Sequence, residues 1–553
     1  MAGLPASVST AIGERASRLA APSKQLLAAA AVLGRRFELD IVAAILDQGE
    51  LSLLDSLDEL VRAEFVEDTQ GGHRFVHDRI RESVYDNLPA GERKALHRAA
   101  ALAVRARDRT RPTAWPAIAH HFFRAEDYEL AHKFALRAAE HASNEYAHGA
   151  AEELYALAFE AAEKSDHLAL DSKIWERRGD ACAAVARYAL AVDCYQHRLD
   201  ASPSVEERRV VLSKVGALEY KRGRFDHAVE AMEKVLDLAG FRPPRSAASA
   251  WLRTLAQLGV ALLPARRWDG SLEDGDARAR SCALTAECWY FAGDQARTFF
   301  YSVMSANTAR RVGPSPGSIR ALSGFGYALS LFGLHRVGGH FLALARDYAG
   351  RIKVPANEAC WLEVMTGLVL ATRGNADGAL AVFDEASRRF DDSANSEARL
   401  LSFINHALIR LAAGRDLPRV ERICSQMLRL AEETGDTRAM GWGGEAQGHL
   451  VLRRGRTQEG IAIMREAARR CTEANDLAFA SSCNDTLALF LGLEGEHAEA
   501  LERGRLAAQT VLKGQLRHYV PVDGGLVIAA ALAKHGGQVL AREDEALVRR
   551  VLR

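Results

Sequence analysis

At 553 residues the chain is too long for a single hydrophobic core, so at least two structural units are expected. Lysine plus arginine and aspartate plus glutamate number 72 each, which excludes a global field that would recruit nucleic acid or anionic lipid. The 48% apolar and 26% charged residues belong to a folded protein rather than a disordered one, and only 14 prolines and 12 tyrosines favour helix over strand.

Helical patterns open the chain over residues 8–19, 23–33 (with Pro22 just before), 39–46 and 51–62. The last carries Leu53, Leu54, Leu57, Leu60 and Val61 on one side. The period then changes. Phe65-Val66-Glu67 and Arg74-Phe75-Val76 read as short strands joined through Gln70-Gly71-Gly72, a hairpin signal. Helices and a small hairpin in this order predict a winged helix over residues 1–110, closed by helices at 79–88 and 89–106. Residues 1–19 hold no uninterrupted apolar core, so no signal peptide is expected. DNA binding through 51–62 is not expected, because Asp55, Asp58 and Glu59 stand against a single Arg62.

Residues 111–240 predict a tetratricopeptide-like helical arm. Tyr128, Ala131, Ala135 and Ala138 mark an early, weak copy of the repeat. Trp175, Gly179, Ala191, Tyr195 and Pro203 fall at the aromatic, glycine, alanine, aromatic and proline offsets of the pattern, and Gly216, Gly223, Phe225 and Ala228 follow. Residues 241–280 break the rhythm with Pro243-Pro244, an Asp/Gly-rich loop over 269–276 and an apolar stretch at 247–263. Arg253, Gln257 and Pro264 cut that stretch short of a membrane span, so an amphipathic helix packed on the array is expected there.

From 281 to 553 the dominant feature is Gly293, Gly333, Gly374, Gly414, Gly455 and Gly495, at intervals of 40, 41, 40, 41 and 40 residues. Small and apolar residues follow at fixed offsets, as in Ala379, Phe383 and Ala386 after Gly374, or Ala500 and Ala507 after Gly495. Such a period marks stacked helix pairs that bury their apolar faces against their neighbours, with glycine at the turn and alanine at the crossing. A last weak copy lies near Gly536-Gly537. The expected fold is therefore all-α: an N-terminal winged helix followed by a tetratricopeptide-like helical-repeat superhelix, an α-solenoid.

The residues offer little chemistry. Eight cysteines show no CxxC spacing and read as reduced, buried thiols, pointing to a cytoplasmic protein. Gly313-Pro314-Ser315-Pro316-Gly317 matches G-x-S-x-G in form, but helical repeats flank it where a nucleophile elbow needs a strand, so it reads as a loop. His120-His121 has no partner spacing for a metal, and Phe122 and Phe123 favour packing. No catalytic residue, metal or cofactor is expected. Binding anchors are sought instead on the first helix of successive repeats, which lines the groove of such superhelices: Trp289, Tyr290, Phe325, Tyr327, Trp361, Phe403 and Trp442. Tryptophans at such positions also serve as core.

Three segments together resemble STAND-type signalling ATPases. LLAAAAVLGRRF (26–37) is similar to the apolar helix and Gly-Arg-x-Phe turn after their nucleotide-binding domain. RFVHDRIRESVYDNLPAGERKALH (74–97) looks like the run that closes their winged helix, and the segment beginning AIAHHF at Ala117 like the start of their arm. The nearest architectures are LuxR-type regulators of the maltose-activator kind and ATPase-linked cyclases or kinases. The resemblance implies that His77 faces the phosphate of bound ADP; read from its residues alone, His77 caps the following helix. No GxxxxGK[ST] phosphate loop and no terminal LuxR-type helix-turn-helix occur. A regulatory sensor portion is expected, with a nucleotide-binding domain supplied in cis upstream or in trans and a protein partner or small effector in the groove. The alternative is a stand-alone tetratricopeptide adaptor or scaffold with no nucleotide-linked partner. Neither reading places the chain at a membrane.

Overall fold

A computed structural model describes residues 6–108, 110–165, 167–168, 170–201, 204–262, 267–390, 396–514, 525–535 and 540–551. Pro203, Pro264 and Gly536-Gly537, all named above, lie outside the described residues. Among the described residues there are 28 α-helices and one three-stranded sheet. The chain divides into two compact units between Arg187 and Tyr188, inside the tract 111–240 that the sequence reads as one arm. No described helix is long and apolar enough to cross a membrane.

The first unit is built around α2 (Ala21–Leu33), in which every residue from 26 to 32 is buried. A helix apolar on all sides needs cover on all sides. Around it stand α1 (Ala6–Ser17), α3 (Leu39–Leu46), α4 (Leu54–Arg62) and α5 (Asp78–Asp86). Leu57 and Leu60 of α4 join this core with Leu53 just ahead of it, but Leu54 is exposed. Glu59 of α4 accepts from Ser23 Oγ at 2.5 Å and from the Ala20 amide at 3.1 Å, holding the start of α2. The predicted hairpin forms as β2 (Val66–Thr69) and β3 (Gly72–Phe75). A strand absent from the sequence reading, β1 (Arg36–Phe37), adds to the other edge of β3. It fits because Gly72 has no Cβ: an added one would lie 2.8 Å from the Phe37 carbonyl oxygen. Then α6 (Ala90–Arg107) leads to the pairs α7 (Trp115–Arg124) with α8 (Tyr128–Asn144) and α9 (His148–Glu163) with α10 (Ser172–Ala184).

The second unit begins with α11 (Tyr188–Asp200) and the pair α12 (Val205–Lys221) with α13 (Phe225–Leu238), then α14 (Ala247–Leu262). Six pairs follow: α15 (Leu272–Phe291) with α16 (Gln295–Val312), α17 (Pro316–Leu331) with α18 (His335–Gly350), α19 (Ala356–Thr372) with α20 (Ala376–Phe390), α21 (Ser396–Ala412) with α22 (Leu417–Thr434), α23 (Thr437–Arg453) with α24 (Thr457–Glu473), and α25 (Leu477–Leu493) with α26 (His497–Gly514). Two shorter helices, α27 (Gly525–His535) and α28 (Arg542–Val551), end it. All six periodic glycines sit at the turn inside a pair with φ between 67° and 84°, the left-handed region that glycine enters without a Cβ clash. The crossing residues Ala379, Ala500 and Ala507 are fully buried. Residues 272–276 correct the expected Asp/Gly-rich loop: they are the first turn of α15, whose amide at Asp274 donates to the Ser271 hydroxyl.

This unit departs from a purely nearest-neighbour stack. Arg438 of α23 is buried against the rings of Tyr220, Phe225, Phe291 and Trp442, its guanidinium 4.7–5.8 Å from their centroids. Gly223, at the α12–α13 turn, lies so close to the α24–α25 turn that a Cβ would meet the Ala474 carbonyl oxygen at 2.4 Å. The array therefore closes on itself, and one continuous core runs from Tyr220 to Phe479.

Candidate effector cavity

The periodic glycines supply a register that picks out the lumenal face of the second unit. Thirteen residues before Gly333, Gly374 and Gly414 stand Arg320, Trp361 and Leu401; nine before stand Gly324, Met365 and Asn405. Six before Gly293, Gly333 and Gly374 stand Glu287, Tyr327 and Leu368. Spacings of three and four put each helix's set on one face. All nine line a single cavity of about 140 Å³, with Tyr290, Phe299, Phe325, Phe332 and, from the far side of the closed array, Tyr220 and Phe479. One repeat further on, the matching Trp442 is covered: Phe479 lies 5.1 Å away ring to ring, and the indole N–H donates to Asp476 at 2.8 Å. The lumen is thus filled at Trp442 and open at Trp361.

The wall is apolar with its charges cancelled. Arg320 grips Glu287 with two bonds, at 3.1 and 2.8 Å, and both side chains are mostly buried. The same guanidinium lies 4.1 Å over the Trp361 ring. The serine and threonine hydroxyls in the wall spend their protons on their own helices: Thr298 donates to the Asp294 carbonyl, Ser302 to Thr298 and Ser305 to Ser302, each at 2.8 Å. Asn405 Nδ2 likewise donates to the Leu401 carbonyl at 2.7 Å. Burial pushes the Tyr327 hydroxyl pKa well above the usual phenol range, against a hydrogen bond from Tyr290. Trp361 Nε1 is buried and without a hydrogen-bond partner, a donor that this wall leaves unspent.

Of the seven aromatic residues singled out in the sequence, the structure brings Tyr290, Phe325, Tyr327 and Trp361 together in the cavity. Trp289 lies instead against Pro243, Pro244 and Arg297, whose guanidinium is 4.6 Å above its ring. Phe403 and Trp442 are buried in the core that closes the array. Glu287, Arg320, Gly324 and Asn405 were missed because the search followed aromatic residues; counting back from each glycine would have found them.

In the first unit, His77 is exposed at the N-terminus of α5 and makes no capping hydrogen bond through its side chain, while the neighbouring Asp78 carboxylate meets Arg35 at 3.3 Å. His121 belongs to a buried network: Tyr85 Oη lies 2.8 Å from His97 Nε2, and His97 Nδ1 lies 3.0 Å from His121 Nδ1. Ser315 caps α17, its hydroxyl accepting from the Ser318 amide at 3.2 Å, and the Gly317 amide donates to Asp276. All eight cysteines are buried and outside any disulfide. No group of three or more His, Cys, Asp or Glu among the described residues could hold a metal ion.

No protein-family description matches this chain, and no curated protein matches it. Solved structures that resemble it distantly include three helical-repeat proteins. A STAND protein with a tetratricopeptide repeat sensor from Pyrococcus horikoshii is 11% identical, with a TM-score of 0.31 over 100% of this chain; the chain spans 65% of that protein's length. A Rap protein complexed with Competence and Sporulation Factor is 13% identical, with a TM-score of 0.38 over 78% of this chain and 100% of that one. Yeast Tom70 is 13% identical, with a TM-score of 0.33 over 76% of this chain and 83% of that one.

Proposed function

We propose that the chain is the regulatory sensor portion of a STAND-type signalling ATPase or transcriptional regulator, taking an effector in the lumen of its second unit. The observation that carries this reading is the cavity itself: side chains fill the lumen around Trp442 yet leave it open beside Trp361. Protein interiors close-pack wherever nothing else must enter, and a largely apolar cavity with few polar groups is the usual form of a ligand site. In this reading residues 1–110 are a winged helix, supported by the order of α2, α3, α4 and the β2–β3 hairpin. His77, exposed at the start of α5, would face a nucleotide-binding domain supplied in cis or in trans. The chain itself acts by binding, without catalysis, cofactor or DNA contact, in the cytoplasm that eight cysteines outside any disulfide suit.

The test is thermal melting of the purified chain against a deproteinised metabolite extract. The extract raises the wild-type melting temperature, and Trp361→Ala, folded by circular dichroism, loses about 1–3 kcal/mol of that binding. No shift of the wild-type chain with any fraction would defeat the effector reading. The adaptor reading draws on a different surface: Leu252 and Leu255 of α14 are 71% and 66% exposed beside an exposed Trp251. An adaptor would bind its protein partner equally well after Trp361→Ala.

A further inference from the structure

We propose that the lumenal cavity takes an uncharged, ring-sized apolar small molecule, and that Gly324 sets the size it admits. This rests on the effector reading above and gives the effector a chemical class.

Gly324 lies in the interior of α17, where glycine costs about 1 kcal/mol relative to alanine. Other glycines of these helices have a neighbour that demands them. A Cβ on Gly326 would meet the Gly338 carbonyl oxygen at 2.8 Å, one on Gly317 the Asp276 carbonyl oxygen at 2.6 Å, and one on Gly367 the Phe383 ring at 2.5 Å. At Gly324 nothing lies within 4 Å. The helix therefore carries a destabilising residue for which packing gives no reason, and the space so left is the cavity. In the two repeats that follow, the equivalent positions carry the longer side chains of Met365 and Asn405, so within this wall the vacancy is at Gly324.

Volume and charge fix the ligand class. About 140 Å³ is close to the size at which an apolar protein cavity stays dry and accepts a benzene-sized ring. A carboxylate would compete with Glu287 for Arg320 and leave one buried anion unpaired; an ammonium would do the same to Arg320. The serine and threonine hydroxyls of the wall and Asn405 have already spent a donor on their own helices, whereas Trp361 Nε1 is a buried donor still open to an acceptor or π-face on the ligand.

The experiment is fluorine NMR of the full chain with fluorobenzene as a neutral probe and fluorobenzoate as its charged counterpart. Fluorobenzene shifts and broadens saturably with the wild-type chain, and fluorobenzoate does not. Gly324→Leu fills the vacancy and weakens fluorobenzene binding by about tenfold or more. Should that variant fail to fold, Gly324→Ala serves: its methyl enters open space, the helix gains stability, and probe affinity still falls. Fluorobenzene binding unchanged in both variants would place the probe elsewhere and overturn the role of Gly324. Preferential binding of fluorobenzoate would overturn the ligand class while leaving an effector cavity standing. If neither probe binds, the proposal fails, and the metabolite-extract melt with Trp361→Ala still decides the effector reading separately.

Discussion

At the scale of single residues, the network of Tyr85, His97 and His121 joins α5, α6 and α7 by two hydrogen bonds, at 2.8 and 3.0 Å. With Nδ1 facing Nδ1, one imidazole must donate and the other accept, so the two rings cannot both be protonated there. Burial, then the neighbouring histidine charges, push the pKa of His97 down to about 3 and of His121 down to about 4. His120, Arg93 and Arg124 act in the same direction. The unfolded chain, with histidines near 6.5, takes up protons first on acidification. The stability held by the neutral network is therefore complete above about pH 6.5 and is lost as pH falls toward about 4. Hydrogen exchange of peptides from α6 and α7 in the full chain should quicken between pH 7 and 5 once intrinsic rates are corrected; unchanged protection would contradict the network. Tyr85→Phe should cost about 1 kcal/mol at neutral pH, because it leaves a buried imidazole nitrogen unpaired. Nothing in the sequence spacing of Tyr85, His97 and His121 says that the three side chains meet.

At the scale of elements, the same helix–turn–helix geometry recurs through both units, but the chemistry at the turn differs. In the second unit a glycine takes the positive φ inside each of the six pairs after 271, although Asp416 (φ 47°) and Asn475 (φ 53°) also enter the left-handed region there. In the first unit Glu126 (φ 62°), Tyr146 (φ 59°) and Ala186 (φ 59°) do so, each forced into the left-handed region despite a Cβ. That strain costs about 1–2 kcal/mol per residue. It also explains what the sequence concealed: the array after 281 announced itself through its glycines, whereas the earlier pairs had lost their marker while keeping the fold. The short β1 was illegible for another reason. Two residues carry no alternation, and the pairing depends on the space at Gly72 rather than on Arg36 and Phe37 themselves. The cavity was half legible, since aromatic residues flagged four of its walls, whereas an absent side chain at Gly324 is no signal until the helix is built. Ala186→Gly should relieve the turn and raise stability by about 0.5–1 kcal/mol, part of the gain being offset by the freer unfolded chain. Urea melts of the two proteins measure this, and an unchanged or lower midpoint would show that the turn is not strained.

At the scale of the whole molecule, the second unit combines two kinds of stability. A repeat array is held by each pair and its neighbours, so its free energy approximates a sum of local terms. Closure adds a term that no local sum contains, because Arg438 and the α24–α25 turn meet residues more than two hundred positions earlier in the chain, Tyr220 and Gly223. Such contacts form only when every intervening pair is in place, so they make the array more cooperative and hold the walls of the cavity at a fixed span. Two chemically identical substitutions separate the local term from the closure term. Gly374→Ala meets nothing within 4 Å and bears only the strain of φ 74°, a loss of about 1 kcal/mol. Gly223→Ala bears the same strain at φ 72° and also drives its Cβ to 2.4 Å from the backbone oxygen of Ala474, which cannot swing aside as a flexible side chain would. Its cost should exceed that of Gly374→Ala by about 1–3 kcal/mol, as for overpacking a rigid interior. It should also broaden the urea transition and quicken exchange in both α12 and α25, far apart in sequence, while Gly374→Ala leaves α25 protected. Equal costs and equal exchange patterns for the two variants would mean that the array behaves as an open stack and that its lumen is not held shut.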